Sequence, residues 1–257
     1  AWGLFAVLDG HGGPAVAILA SRLLPRELRR RLEEESEGIP CWCSPDGRRQ
    51  AVEKAFLDVD RQLSCKAAAF SCGSTCVAGM VWQDSAQDDR LTVLIANLGD
   101  SRGLVVSGSD GTSCVLGESE DHKPDRPEET KRILQAGGIV TGGGMAPARV
   151  DGDLALSRAF GDFRLKDADT PPERQKVSPV PDVYEFSCRK GDALVLACDG
   201  AFDVLSSSEV GDLVWKELHK AQEDRRRERP VLAARAVTRV ALARGTADNV
   251  TCVAVQL

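Results

Sequence analysis

Apolar and polar positions along this chain switch between two periods. The opening "AWGLFAVLDG" is a strand-like apolar run that delivers Asp9, Gly10 and His11 at its end. Gly12-Gly13-Pro14 marks a helix start, with Pro14 near the first helical position. Val16, Leu19, Ala20, Leu23, Leu24 and Leu28 then recur at helical spacing, with a kink or break expected at Pro25. The tail "RELRRRLEEESE" reads as a solvated face, and a loop carrying Pro40 and Pro45 follows. Val52, Ala55, Phe56, Val59 and Leu63 predict a second amphipathic helix.

From Cys72 the period shortens. "STCVAGMVW", "LTVLIANLGD", "RGLVVSG" and "TSCVLGE" are short, rich in β-branched residues and separated by Gly, Asp and Ser, as antiparallel strands are. "RPEETKRILQAGG" is a short helix with Pro127 in its first turn and glycines at its end. Residues 141–181, rich in Gly and Pro, read as a long functional loop or flap. "DALVLACDG" is a further buried strand, and Ser206 with Glu209 forms a capping box ahead of Val210, Leu213, Val214 and Leu218. Val231, Ala234, Val237, Val240 and Ala241 predict a last helix before the closing strand "NVTCVAVQL". Helices bracket the strands in pairs, so the predicted class is α+β, helices packed on an antiparallel β core.

Length admits one large domain or two small ones, and 257 residues suffice for a substantial core. No apolar run approaches the roughly 18 residues of a membrane helix, so no span is predicted. A net charge of −6 argues against a nucleic-acid partner, which needs a basic field, and suits a cation site. Nine cysteines lack zinc-ligand spacing, and Cys76, Cys198 and Cys252 sit in apolar runs as small hydrophobes. Reduced thiols in a cytoplasmic or nuclear protein are the expectation. The run "RRRER" from Arg225 reads as a solvated loop, with a nuclear address as the other reading. The chain opens without Met or leader, so further residues are expected upstream of Ala1.

The chemistry concentrates at strand ends. Three strands finish in Asp9, Asp100 and Asp199, and a fourth begins near Asp248. Antiparallel strands set the end of one beside the start of the next, which would bring four carboxylates to one edge. Each Asp taken alone is an ordinary turn or cap residue. Taken together they would repel one another and raise their own pKa values unless a hard divalent cation such as Mg²⁺ or Mn²⁺ joined them. His11, two residues from Asp9, suits acid or base work at the rim of such a site, whereas His122 and His219 read as structural.

The ordered segments "FAVLDGHGG", "GSTCVAGMV", "ANLGDSRGLV", "DHKPDRPEETKRILQAGGIV", "DLALSRAFGD", "LVLACDGAFDVLSSSEV" and "GTADNVTCVAV" resemble the motifs of the metal-dependent PP2C/PPM serine/threonine phosphatases. The resemblance covers nearly the whole of 1–257 and implies one domain, a central β-sandwich flanked by pairs of helices. It implies hydrolysis of phosphoserine and phosphothreonine in proteins by a water activated at a binuclear Mn²⁺ or Mg²⁺ centre. Asp9 resembles the carboxylate that bridges both metals, and Gly10 the residue whose carbonyl meets the second. Asp199 and Asp248 resemble ligands of the first metal, and Asp100 a ligand, with Asp199, of a third and weaker site. Asp203 is either a helper of that third ion or a helix-start residue. His11 resembles the general acid that protonates the leaving oxygen, and "SRAFGD" with the Gly-rich stretch before it resembles the flap.

The resemblance also exposes a departure. The family's first strand, with its phosphate-gripping arginine and an acidic ligand of the second metal, has no counterpart in "AWG". The expectation is that these residues lie upstream of Ala1. The other reading is a catalytically impaired, PP2C-like pseudophosphatase serving as a regulatory binding module. Ala201 stands where a bulkier apolar residue is common in the family, which predicts a packing difference only.

Overall fold

The computed structural model describes residues 2–36, 39–83, 89–109, 112–144, 146–220 and 228–257. In chain order the elements are β1 (Trp2–Val7), β2 (Gly10–His11), α1 (Ala15–Glu33), β3 (Glu35–Ser36), β4 (Ile39–Pro40), α2 (Pro45–Leu63) and β5 (Gly73–Ser74). Then come β6 (Cys76–Gln83), β7 (Arg90–Leu98), β8 (Arg102–Ser109), β9 (Thr112–Glu118), α3 (Pro127–Gln135), β10 (Val140–Gly143) and β11 (Ala146–Val150). The last are β12 (Phe160–Gly161), β13 (Asp182–Arg189), β14 (Ala193–Ala197), α4 (Asp199–Phe202), α5 (Ser207–Leu218), α6 (Arg229–Ala243) and β15 (Cys252–Gln256).

Two antiparallel four-stranded sheets, in the orders β1-β6-β7-β13 and β15-β14-β8-β9, form a sandwich. Strand alternation divides the apolar residues between its layers. On β6, Cys76, Ala78, Met80 and Trp82 meet α1 and α2, while Val77 turns inward to the space between the sheets. That inner layer also holds Val93, Ile95, Val105, Leu194 and Leu196. On the far side Leu104, Val106, Val195 and Ala197 pack against Val210 and Val214 of α5 and Val237 and Ala241 of α6. Ala201 is fully buried in the same layer. The result is the expected helix–sheet–sheet–helix arrangement.

Some local expectations change. α1 is a single helix through Pro25, so the chain does not break there, and Leu24 and Leu28 on either side of it are both buried. The charged tail of α1 is not a free face. Glu27 and Asp58 are buried, with Arg30 and Arg31 each 2.5 Å from Asp58 and Gln62 donating to Glu27. Helical spacing alone did not show that α2 supplies these partners. Val231 is exposed, and Ala233, which was not among the expected positions, takes the buried place on α6. The capping box at Ser206 and Glu209 forms as read. Residues 141–181 hold the β10–β11 hairpin and part of a small apolar cluster of Ile133, Val150, Leu154, Leu156, Ala159 and Val177. Of the basic run "RRRER" from Arg225, residues 225–227 lie outside the described residues, while Glu228 caps α6 and Arg229 opens it. Among those described, no helix is long and apolar enough to cross a membrane.

Candidate active site

β1 ends at Val7, and the chain does not fold back there as a hairpin. The Asp9 carbonyl accepts from the Thr75 amide at 2.9 Å and the Ser74 hydroxyl at 3.1 Å, while the Asp9 amide donates to the Thr75 Oγ1. Gly10 and His11 then pair with Ser74 and Gly73, and Phe160–Gly161 joins on the other side, giving the small sheet β12-β5-β2. Asp9 is therefore held through its main chain, and its carboxylate is left for other work.

Asp199 opens α4 directly after β14, and Asp203 closes that turn with its amide on the Asp199 carbonyl. Gly200 is required here: a Cβ would lie 2.2 Å from the Asn249 carbonyl oxygen and 3.3 Å from the Asp248 Cβ. That close approach sets the Asp248 loop against α4. Asp100 follows β7, is buried, and receives Lys123 Nζ at 2.5 Å.

The ligand atoms of Asp9, Asp199 and Cys198 lie within 4.8 Å of one another; Asp100 and Asp248 are not part of that group. Burial first, then the carboxylates of Asp100, Asp9 and Asp203, push the Asp199 carboxyl up to about 7, with Lys123 opposing. Burial, Asp248 and Asp100 likewise raise Asp9, whose side chain hydrogen-bonds to that of Asp199. The Asp199 Oδ1 is buried with no hydrogen-bond partner. Crowded, part-buried carboxylates and an oxygen without a partner make a donor set that fits a hard, oxygen-seeking divalent cation. Cys198 is not a thiolate ligand in this setting. Its Sγ donates to the Asn249 carbonyl, accepts from the Thr251 amide, and burial pushes its pKa up.

His11, a quarter exposed, places Nε2 2.5 Å from Oδ2 of the fully buried Asp162. His122 is fully buried: its Nδ1 accepts from the Gly99 amide, its Nε2 faces Asp182 at 3.1 Å, and burial lowers its pKa. It braces the turn that carries Asp100, a structural task. His219 stacks on Trp215, away from the carboxylates.

The family model described as Protein phosphatase 2C matches residues 1–250. The chain belongs to the protein phosphatase 2C family. A Mus musculus protein named probable protein phosphatase 1N is 38% identical over 257 residues, covering 99% of this chain and 57% of that protein. Probable protein phosphatase 2C 75 of Arabidopsis thaliana is 35% identical over 290 residues, covering 98% of this chain and 64% of that protein. A crystal structure of a phosphatase from a pathogenic strain of Toxoplasma gondii superposes with a TM-score of 0.80 at 28% identity, covering 98% of this chain and 84% of that one. The chain spans between half and two thirds of the length of these protein relatives.

In this phosphatase 2C domain the strand-end pattern predicts Asp9, Asp100, Asp199 and Asp248 at one edge of the sandwich with His11 at its rim, and the family resemblance adds Gly10 and, as ion helper or helix-start residue, Asp203. The structure couples Asp9 electrostatically to Asp100, Asp199 and Asp248. It adds Lys123 and Asp162. Lys123 follows His122 in "DHKP", 23 positions from the Asp100 it pairs with. Asp162 ends "SRAFGD", and nothing local ties it to a residue 151 positions away.

Proposed function

We propose that this domain hydrolyses phosphoserine and phosphothreonine esters in proteins, using two Mn²⁺ or Mg²⁺ ions. Asp9, the Gly10 carbonyl, Asp199 and Asp248 would hold them, with Asp100, and Asp203 at its rim, offering a third and weaker position. The observation that carries this reading is the Asp9–Asp199 pair: two carboxylates forced together, one with its acidity displaced to about 7 and an oxygen without a partner.

When bound, the cations supply water activation and stabilisation of charge on the phosphoryl oxygens. The protein's own residues do the rest. The main-chain hydrogen bonds of Asp9 to Ser74 and Thr75 fix its carboxylate before any ligand arrives. Lys123 offsets part of the acidic charge from the Asp100 side. His11 stands at the rim as a proton donor to the departing serine or threonine oxygen, a poor leaving group that needs one. A nucleophilic role is disfavoured for the cysteines of the β core: burial pushes the thiols of Cys188 and Cys252 up to about 12 and raises those of Cys76 and Cys198. All nine cysteines are free, which supports a reducing location, cytoplasm or nucleus.

Phosphate release from a phosphothreonine peptide, with Mn²⁺ and then with EDTA, tests the reading alongside Mn²⁺ binding by calorimetry. The expected result is metal-dependent turnover that Asp199→Ala abolishes together with most Mn²⁺ binding. Mn²⁺ binding without turnover in the unaltered protein would turn the assignment to a phosphoprotein-binding module.

A further inference from the structure

Asp162 is a costly residue to bury. It is fully enclosed, its backbone is left-handed at φ 51°, and its Oδ1 has no hydrogen-bond partner. Only Oδ2 is used, and it is used on His11 Nε2 at 2.5 Å. Such an arrangement stabilises nothing by itself that an apolar residue would not serve better.

The surroundings are built around that one contact. Gly73 lies opposite, and a Cβ there would sit 2.0 Å from the Asp162 Oδ2 and 2.3 Å from the His11 Nε2, so the ion pair occupies the space a side chain would need. The Asp162 amide donates to the Cys72 carbonyl at 3.0 Å. One residue earlier, the Gly161 amide donates to the Asp60 Oδ1 on α2 at 2.9 Å. Lys166, nearly enclosed, reaches both oxygens of the same Asp60 at 2.9 Å and also the Ala159 carbonyl. The segment from Ala159 to Lys166 is thus clamped on α2, with Asp162 at its apex directed at the imidazole.

We propose that Asp162 is the positioning residue for His11. An ionised Asp162 accepts only from a protonated Nε2, so it fixes the ring's rotation and leaves Nδ1 as the nitrogen turned to the substrate. The step that follows is balanced. As the P–O ester bond breaks, its electron pair goes to the leaving oxygen, the Nδ1 proton moves to that oxygen, and the neutral imidazole keeps its Nε2 proton on Asp162. The buried carboxylate keeps the Nε2 proton and the ring's orientation in place through the transfer. Asp162 touches neither substrate nor cation; it acts through His11.

The inference rests on the phosphatase reading, and the test separates the two. Asp162→Ala and the near-isosteric Asp162→Asn are made in the full chain. Each is assayed on a phosphothreonine peptide, whose leaving group needs a proton, and on p-nitrophenyl phosphate, whose leaving group does not. Mn²⁺ affinity is measured by calorimetry and the His11 Nε2–H resonance by ¹⁵N-selective NMR. For Asp162→Ala the expected kcat loss on the peptide is about 10²-fold, the low end of what a positioned proton donor supplies. The aryl phosphate and Mn²⁺ affinity should change little, and the downfield Nε2–H signal of the parent should vanish. Asp162→Asn, which keeps the shape and loses the charge, should show the same selectivity if it alone folds. Equal loss on both substrates, or loss tracking weaker Mn²⁺ binding, would make Asp162 a structural pin and overturn the proposal. A parent protein without turnover on either substrate sinks the phosphatase reading, and the presence or absence of the Nε2–H signal still decides the positioning.

Discussion

Lys123 is the cation that faces the acidic edge at closest range, with its Nζ on Asp100 and its charge opposing the displaced acidity of Asp199 and Asp203. Removing it leaves those carboxylates to repel one another without relief. Lys123→Gln should therefore melt earlier than the parent in EDTA and gain more from added Mn²⁺. Thermal melts with and without the ion should show the gap widen by a few degrees, at about 2–4 °C per kcal/mol for a domain of this size. Part of this acidic edge is legible in the sequence. Asp9, Asp100 and Asp199 were visible because each ends an apolar run, a pattern that one strand carries within itself. Lys123 and Asp162 were not, since their partners lie on other segments and only tertiary pairing brings them near.

Among the elements, the clamp between α2 and the segment 159–166 connects the outer helical layer to the site. Asp60 is buried and serves both the Gly161 amide and the Lys166 ammonium. Truncating Lys166 to Ala would strand that carboxylate, a change that typically destabilises by about 3–5 kcal/mol. Hydrogen exchange should then report faster opening of the amides at 160–162 than of those in β6 or β7, and a uniform rise across both sheets would contradict a local clamp. Helix and strand identities were legible because period and turn residues reinforce one another along the chain. The fate of charged faces was not. "RELRRRLEEESE" reads as solvated, and becomes a partly buried ion-pair network only because Asp58 and Gln62 arrive from α2. Pro25 likewise reads as a kink or a break, and the helix continues through it with buried Leu24 and Leu28 on either side.

On the scale of the whole molecule, Glu129 joins α3 to the segments that lead to and from the site. Nearly fully buried, it pairs with Arg158 and Arg132 and accepts from the Ser157 hydroxyl; Arg158 continues to Asp182 on β13. Although burial opposes it, these partners hold the Glu129 carboxyl down at about 2, and His122 and Arg158 hold Asp182 below the ordinary range. A depressed carboxyl contributes stability above its unfolded value, near 4.5 for Glu129, and loses it as pH falls toward 2. For Glu129 the difference amounts to about 3 kcal/mol. Melting temperature should thus drop steeply between pH 4.5 and pH 2. Glu129→Gln should begin lower at neutral pH and fall less on acidification; parallel curves for the two proteins would show that the network does not set the acid limit.

The three-stranded sheet of Gly10–His11, Gly73–Ser74 and Phe160–Gly161 gathers segments that are far apart along the chain, ending in a contact across 151 residues. The hairpins β6-β7 and β8-β9, one in each large sheet, by contrast each join sequence neighbours. Closing long loops is entropically slow, so a refolding chain should acquire these two hairpins first and the sheet of distant strands late. Tryptophan emission from a variant that keeps only Trp82, which lies on the β6-β7 hairpin, should recover before phosphate release does. A newly made chain would then pass through a sandwich that is already compact and still inert, with competence arriving only when its two remote segments meet.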